Sequence, residues 1–325
     1  MARKPSKNRV NVLADVAEMY FLEGLTQAEI AKKVGVTRSM VSRMLTEARE
    51  QGIVKIRIDR KFKYNESLQN ELIRQFNLKD AVIYNGQPES YEHYLTHLGR
   101  VGAKAVHSHL KDDIVVGTAW GTTLNATFKS LEVEPLRNTK IVQLVGAMGE
   151  RSLEIDGHEL VHYLVTKLNG EGYFLNVPYI VDKPETVDSL MSVQSVCETM
   201  EMMKECDLGL FGIGSLELDY STFYSAGYLV LDEMKGLTIH GAVGNVCGLF
   251  FDIHGQPTAR EFQRRSMTIS KRNLIKIPTR IGIAGGSGKI KAILGALRGE
   301  YINVLVSDDI TAAEVLRLNQ ETISK

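Results

Sequence analysis

Between Leu13 and Ile58, two helix caps, two glycine turns and one alternating strand follow one another at spacings that few folds accommodate. Leu13, Val16, Ala17 and Tyr20 recur at helical intervals, and Gly24 stops that helix. Thr26-Gln27-Ala28-Glu29 has the form of a capping box, in which the Thr26 hydroxyl accepts from the Glu29 N–H and the Glu29 carboxylate reaches back to the Thr26 N–H. Ile30 and Val34 give the second helix its apolar seam, and Gly35 makes a tight turn. Thr37 caps a third helix whose Val41, Leu45 and Ala48 share an inward face. After Gly52, Val54, Ile56 and Ile58 alternate with Lys55 and Arg57 as a half-buried strand does. The pattern predicts a winged helix-turn-helix. The competing reading is a plain three-helix bundle with a solvated charged face.

The third helix leaves Arg38, Ser39, Ser42, Arg43 and Thr46 on its outer face. These side chains can hydrogen-bond base edges and phosphates, and they begin at the helix N-terminus, where such helices meet the major groove. Thr26, Gln27 and Thr37, at the two helix starts, join Arg38, Ser39, Ser42 and Arg43 as candidate DNA contacts. Charge agrees. Residues 1–60 carry 12 Lys+Arg against 7 Asp+Glu, a net of +5, whereas the remainder carries 27 against 32, a net of −5. A basic domain on a larger acidic one suits operator DNA, because neutralising phosphates supplies much of the affinity.

The 325 residues leave room for more than one domain, with 1–60 as the DNA reader and 61–325 as an effector and oligomerisation domain. No apolar run is long enough to span a bilayer. The basic start, Met1 to Lys7, has no apolar stretch behind it, so a cytoplasmic protein is expected. Cys197, Cys206 and Cys247 are odd in number and widely spaced, and read as small buried hydrophobes in a reducing compartment.

From Ala81 onward, short apolar runs alternate with helical stretches. The runs are Ala81–Tyr84, Ile114–Gly117, Ile141–Val145, Tyr173–Val177, Leu208–Ile213, Arg280–Ala284 and Asn303–Val306. Ser67 to Phe76 reads as a linker helix or the first helix of the second domain. The fold class is therefore α/β, an N-terminal winged helix-turn-helix plus a large Rossmann-like domain with a mostly parallel sheet. Ligands in such sheets bind outside the carboxyl ends of the strands. Three of these ends run into glycine-rich loops: Val116 to Thr123, Phe211-Gly212-Ile213-Gly214-Ser215, and Ile283-Ala284-Gly285-Gly286-Ser287-Gly288-Lys289. Free N–H groups at a helix start, the Thr122 and Thr123 hydroxyls and the Lys289 ammonium make an anion cradle. The third loop is not a P-loop, because Ile283 stands where its first glycine belongs and Ile290 where a magnesium-binding Ser or Thr belongs.

The chain resembles the SorC family of sugar-responsive transcription regulators. The resemblance rests on Gly24-Leu25-Thr26-Gln27-Ala28-Glu29-Ile30-Ala31, Val41-Ser42-Arg43-Met44-Leu45, Trp120-Gly121-Thr122-Thr123-Leu124 and Gly212-Ile213-Gly214-Ser215. Ala226-Gly227-Tyr228, Gly241-Ala242-Val243-Gly244, Phe250-Phe251-Asp252, Ala284-Gly285-Gly286, Ala296-Leu297-Arg298-Gly299 and Ile302-Asn303-Val304-Leu305 complete the ordered set. It implies an effector domain similar to ribose-phosphate isomerases and glucosamine-phosphate deaminases, a homo-oligomer that is usually a tetramer, and a small phosphorylated sugar or polyol as effector. By motif, Gly121, Thr122, Thr123 and Lys289 match phosphate-binding positions. Gln143 and the segment from Gly244 to Asp252 match positions lining the sugar. With Gly214 and Gly286 from the other two loops, and Asn245 and Asp252 from that segment, these are the candidate effector contacts. Asn245 stands where the family usually carries an acid, and Leu249 where it often carries Arg or another polar or aromatic residue. An acid accepts two hydroxyls, whereas Asn both donates and accepts, so an unusual hydroxyl pattern is expected.

A sugar-phosphate enzyme carrying a DNA-binding module is the alternative function. Isomerisation needs a base beside a carbon acid; Asn245 occupies the best-placed position, which leaves Asp252, read as a structural acid, as the remaining carboxylate. The pairs His93/His97 and His158/His162 have helical spacing but no evident third metal ligand. Lys289 could form a Schiff base with an aldehyde, but its place beside a glycine loop fits a phosphate better. No catalytic residue, cofactor or metal is expected.

Overall fold

Capping sets the ends of the helices that begin the chain. The computed structural model describes residues 7–54, 62–86, 90–148, 155–225, 227 and 229–323, and the chain divides into two compact units, Met1–Lys61 and Phe62–Lys325. In the first unit, α1 (Lys7–Phe21), α2 (Gln27–Val34) and α3 (Arg38–Glu50) pack around Leu13, Val16, Ala17, Ile30, Val41, Met44, Leu45 and Ala48. The Thr26 N–H donates to the Glu29 carboxylate at 2.9 Å and the Glu29 N–H to the Thr26 hydroxyl at 3.4 Å, so the capping box is formed. Gly35 closes α2 with φ +73°, and Thr37 accepts from the Met40 N–H at 3.3 Å to start α3. Tyr20 departs from the expected inward stripe. It sits at the end of α1, 37% exposed, edge-on to Phe21. The expected wing falls almost wholly on residues 55–61, outside the described residues.

The second unit is built on an eight-stranded sheet of order β1-β2-β11-β10-β6-β3-β4-β5. The strands are β1 (Lys63–Tyr64), β2 (Asp80–Asn85), β3 (Val115–Thr118), β4 (Lys140–Gln143), β5 (Glu171–Tyr173), β6 (Leu208–Gly212), β10 (Thr279–Ile283) and β11 (Val304–Asp308). All neighbours are parallel except β1, which pairs antiparallel with β2 at the edge. The central strands are Val, Ile and Leu runs because helices cover both faces. All five residues of β11 are buried. A second sheet of β7 (Gly214–Ser215), β8 (Gly244–Val246) and β9 (Leu249–Phe251) is antiparallel and follows directly on β6.

The helix expected at Ser67–Phe76 spans Glu66–Phe76, capped by Asn65, and belongs to the second unit. The expected strand Tyr173–Val177 is the largest displacement among the strands. Its ladder ends at Tyr173 because the Leu175 N–H donates instead to the Gln143 side chain, at 3.2 Å. Cys206 and Cys247 are buried as expected, but Cys197 is exposed, its thiol directed to the Met191 carbonyl at 3.3 Å. That helix, Gln194–Met202, buries only Val196 and Thr199, which leaves Cys197 on its outer side. Among the described residues, no helix is long and apolar enough to cross a membrane.

Candidate functional site

Two sets of residues were singled out by sequence, one in each unit. In the first unit, Arg38, Ser39, Ser42, Arg43 and Thr46 are all exposed along α3, opposite the buried Val41, Met44, Leu45 and Ala48. Thr26 and Thr37 are exposed at the helix starts, and Gln27 is half-buried. The Thr37 hydroxyl also meets the Ser39 hydroxyl at 2.9 Å, and Thr46 donates to the Ser42 carbonyl at 3.1 Å. The face therefore presents two guanidiniums flanked by hydroxyls. Arg38 and Arg43 have no ion pair among the described residues, so both charges are available to a polyanion.

In the second unit, β10, β6 and β3 are adjacent, so their three carboxyl-end loops meet. They enclose a cleft of about 480 Å³, part of it open to solvent, that Gly121, Thr122, Thr123, Gly214, Asn245 and Lys289 all help to line. Gly121 is the N-cap of the helix Thr122–Ser130 and has φ +135° and ψ 159°. A side chain at that φ would strain the backbone, and glycine also brings no capping oxygen of its own. The first-turn amides thus lack an acceptor within the helix. The Gly121 N–H itself donates to the Ile155 carbonyl at 3.0 Å.

Lys289 ends a one-turn 3₁₀ helix, Ser287–Lys289, from which the helix Ile290–Arg298 continues. Its ammonium donates to the Ile213 carbonyl at 2.8 Å. Burial pushes it down to about 8, and among the described residues no carboxylate pairs with it. The Ser215 hydroxyl donates to the Gly288 carbonyl at 2.7 Å and accepts from the Glu217 N–H at 3.0 Å, a second tie between the β6 and β10 loops. Asn245 lies opposite Gly214 in the β7–β8 ladder. A Cβ at Gly214 would fall 2.4 Å from the Asn245 amide nitrogen, so glycine there makes room for this side chain.

Three sequence-chosen residues lie elsewhere. Gln143 is fully buried, donating to the Val145 carbonyl at 2.9 Å and accepting from the Leu175 N–H at 3.2 Å. Its amide is used in holding the chain after β4 and β5. The Asp252 carboxylate accepts from the His254 and Gln256 N–H groups and shapes the turn after β9. The Gly286 N–H donates to the Thr311 hydroxyl at 2.8 Å, just outside the cleft lining. The cleft also contains residues not among the candidate contacts, chiefly Trp120, Ser215 and Phe223, and Cys247 from the Gly244-to-Asp252 segment. Trp120 packs edge-on to Phe223, with ring centroids 4.8 Å apart. Burial raises the Cys247 thiol far above its usual range, so it stays protonated.

The family model described as "Putative sugar-binding domain" matches residues 60–317, and the model for sigma-70 region 4 matches residues 14–51. The chain belongs to the SorC family. Among its relatives, the sorbitol operon regulator of Klebsiella pneumoniae is 28% identical over 95% of this chain and 98% of that protein. The deoxyribonucleoside regulator of Bacillus subtilis is 28% identical over 92% of this chain and 95% of its own length. The crystal structure of full-length SorC from Klebsiella pneumoniae superposes with a TM-score of 0.71 at 29% identity, covering 95% of this chain and all of that one. This SorC-family chain is thus a transcriptional regulator with an N-terminal DNA-binding helix-turn-helix and an α/β sugar-binding domain.

Proposed function

We propose that a small phosphorylated sugar or polyol binds in the cleft and controls operator binding by a cytoplasmic homotetramer serving a carbohydrate catabolic operon. The carrying observation is Lys289, a cation half-buried at the strand ends with no carboxylate partner among the described residues. Beside it are the first-turn amides of the helix at Thr122 and the hydroxyls of Thr122 and Thr123. A buried charge without a counterion is costly, and a phosphate supplies the missing partner together with acceptors for the amides. The names of relatives, regulators of sorbitol and deoxyribonucleoside genes, favour a carbohydrate operon.

In this reading residues 1–60 read DNA through Thr26, Gln27, Thr37, Arg38, Ser39, Ser42 and Arg43, and residues 61–325 sense and oligomerise. Paired half-sites require paired readers, and a domain of this size has little surface to spare for self-association. The effector acts by binding the DNA-competent and incompetent arrangements with different affinity. A sensor is favoured over an enzyme because the described lining offers no carboxylate base, and its one thiol is held protonated.

Calorimetry of the full chain with sugar phosphates and their unphosphorylated counterparts tests this reading, with sedimentation reporting the oligomer. Binding that requires the phosphate and is lost in Lys289→Ala is expected. Equal affinity for the unphosphorylated form, unchanged by Lys289→Ala, or a monomer at working concentration, would overturn it.

A further inference from the structure

Two nitrogen donors in the cleft wall have no partner. The Trp120 indole N–H and the Asn245 amide nitrogen are buried without a hydrogen-bond acceptor among the described residues. Trp120 is 9% exposed and Asn245 4%, and both line the cleft that holds Lys289. An indole nitrogen can only donate. Leaving such a group buried and unpaired forfeits its hydration, so its natural occupant is an acceptor delivered by the ligand.

The kind of acceptor follows from the rest of the lining. Among the described residues it contains no carboxylate. A hydroxyl accepting from Trp120 or Asn245 brings its own hydrogen, which then needs an acceptor. The Ser215 hydroxyl already donates to Gly288 and accepts from Glu217, so that hydrogen must go to the Asn245 Oδ1, a threonine hydroxyl or a main-chain carbonyl, a geometric demand that a pure acceptor does not make. A carboxylate on the ligand accepts without donating, but it adds a second anion to a site with one ammonium, and burying an unpaired charge is far more costly than burying a dipole. A neutral carbonyl oxygen accepts twice, donates nothing and adds no charge.

We propose that Trp120 and Asn245 are specificity-determining residues that select an effector carrying a carbonyl oxygen, a keto sugar phosphate over the polyol phosphate of the same carbon skeleton. This rests on the reading of the cleft as a phosphorylated-sugar site and narrows it. The role is one that an amide can fill and an ionised carboxylate at position 245 could not, since a carboxylate has no N–H to offer.

Trp120 is the sole tryptophan of the chain, so intrinsic fluorescence reports on the site directly. The full-length protein is titrated with matched pairs: dihydroxyacetone phosphate and glycerol 3-phosphate, erythrulose 4-phosphate and erythritol 4-phosphate, ribulose 5-phosphate and ribitol 5-phosphate, fructose 6-phosphate and glucitol 6-phosphate. The unphosphorylated pairs are run in parallel. In the best-binding pair the keto member should bind about tenfold tighter and shift the Trp120 emission, the loss expected when a buried donor goes unpaired. By calorimetry, Trp120→Phe, which keeps the ring and removes the N–H, should reduce that preference to about twofold or less. Asn245→Asp should turn it towards the polyol. A polyol bound as tightly as its ketone overturns the proposal, as does a preference unchanged in both variants. So does the absence of millimolar binding by every keto member, phosphorylated or not. If an unphosphorylated ketone binds as well as its phosphate, the phosphate reading fails, while the carbonyl preference is still decided within that pair.

Discussion

The Lys289 ammonium donates to the Ile213 carbonyl at 2.8 Å, which fixes this lysine of the cleft lining across the gap between the β10 and β6 loops. The side chain is therefore held before any ligand arrives, and little rotamer freedom, up to about 2 kcal/mol for a lysine, remains to be lost on binding. Lys289→Ala should weaken sugar-phosphate binding by at least about tenfold, in the range of a lost charge-assisted hydrogen bond. Operator affinity without effector should stay within about twofold. Calorimetry and a gel-shift titration separate the two.

The pH dependence of binding has a definite sign. Burial sets the Lys289 ammonium near 8, below its usual 10.5. The charged form attracts phosphate, so affinity should fall as pH rises above about 8. It should also fall at the acid end, where the phosphate takes up its second proton near pH 6. For the effector-free protein, between about 8 and 10.5 the unfolded chain binds more protons at this lysine than the native one. Its contribution to stability therefore rises with pH across that window and is lost as pH falls through 8. Lys289→Met should flatten the alkaline arm of the binding profile, measured by calorimetry at a series of pH values.

Gly121→Ala tests the helix start. A Cβ there meets nothing within 4 Å, so any penalty comes from the backbone at φ +135°. A drop of about 1–3 kcal/mol in unfolding free energy is expected, together with weaker effector binding as the first-turn amides shift. Denaturant melts and calorimetry read the two effects.

Arg38→Ala and Arg43→Ala should each weaken operator binding by about 1–3 kcal/mol if the guanidinium reads a guanine. The loss should be similar across operator sequences if it holds a phosphate. Wild-type operator affinity in the double variant would remove α3 from the reading surface.

Elements with strong local signals were legible from the sequence. The caps at Thr26 and Thr37, the β-branched strand runs and the glycine loops after β3, β6 and β10 all stand where residue chemistry put them. The second sheet was not legible, because its strands are only two or three residues long. Its hairpin turns on Cys247 and Gly248, both at positive φ (52° and 69°), without the Asn-Gly or Asp-Gly pair that announces such turns. Gln143 shows the limit at the site. A glutamine at a strand end can face a ligand or hold the backbone, and only its bonds to Val145 and Leu175 distinguish the two. Trp120 carried no periodic signal as a binding residue; its unpaired N–H becomes informative only once its burial is known.

The cleft is assembled from chain segments far apart in sequence. Lys289 and Ile213 are 76 residues apart, Gly288 and Ser215 73, and the Thr118 hydroxyl reaches the Leu210 carbonyl across 92. Contacts of such range form late, because the chain must close large loops before they can hold. A chain still short of β10 also lacks Lys289, and so lacks the cation of the proposed effector cleft. In the proposed reading, sensing begins only when the β10 loop has joined those of β3 and β6, and effector binding should protect against global unfolding rather than local fraying.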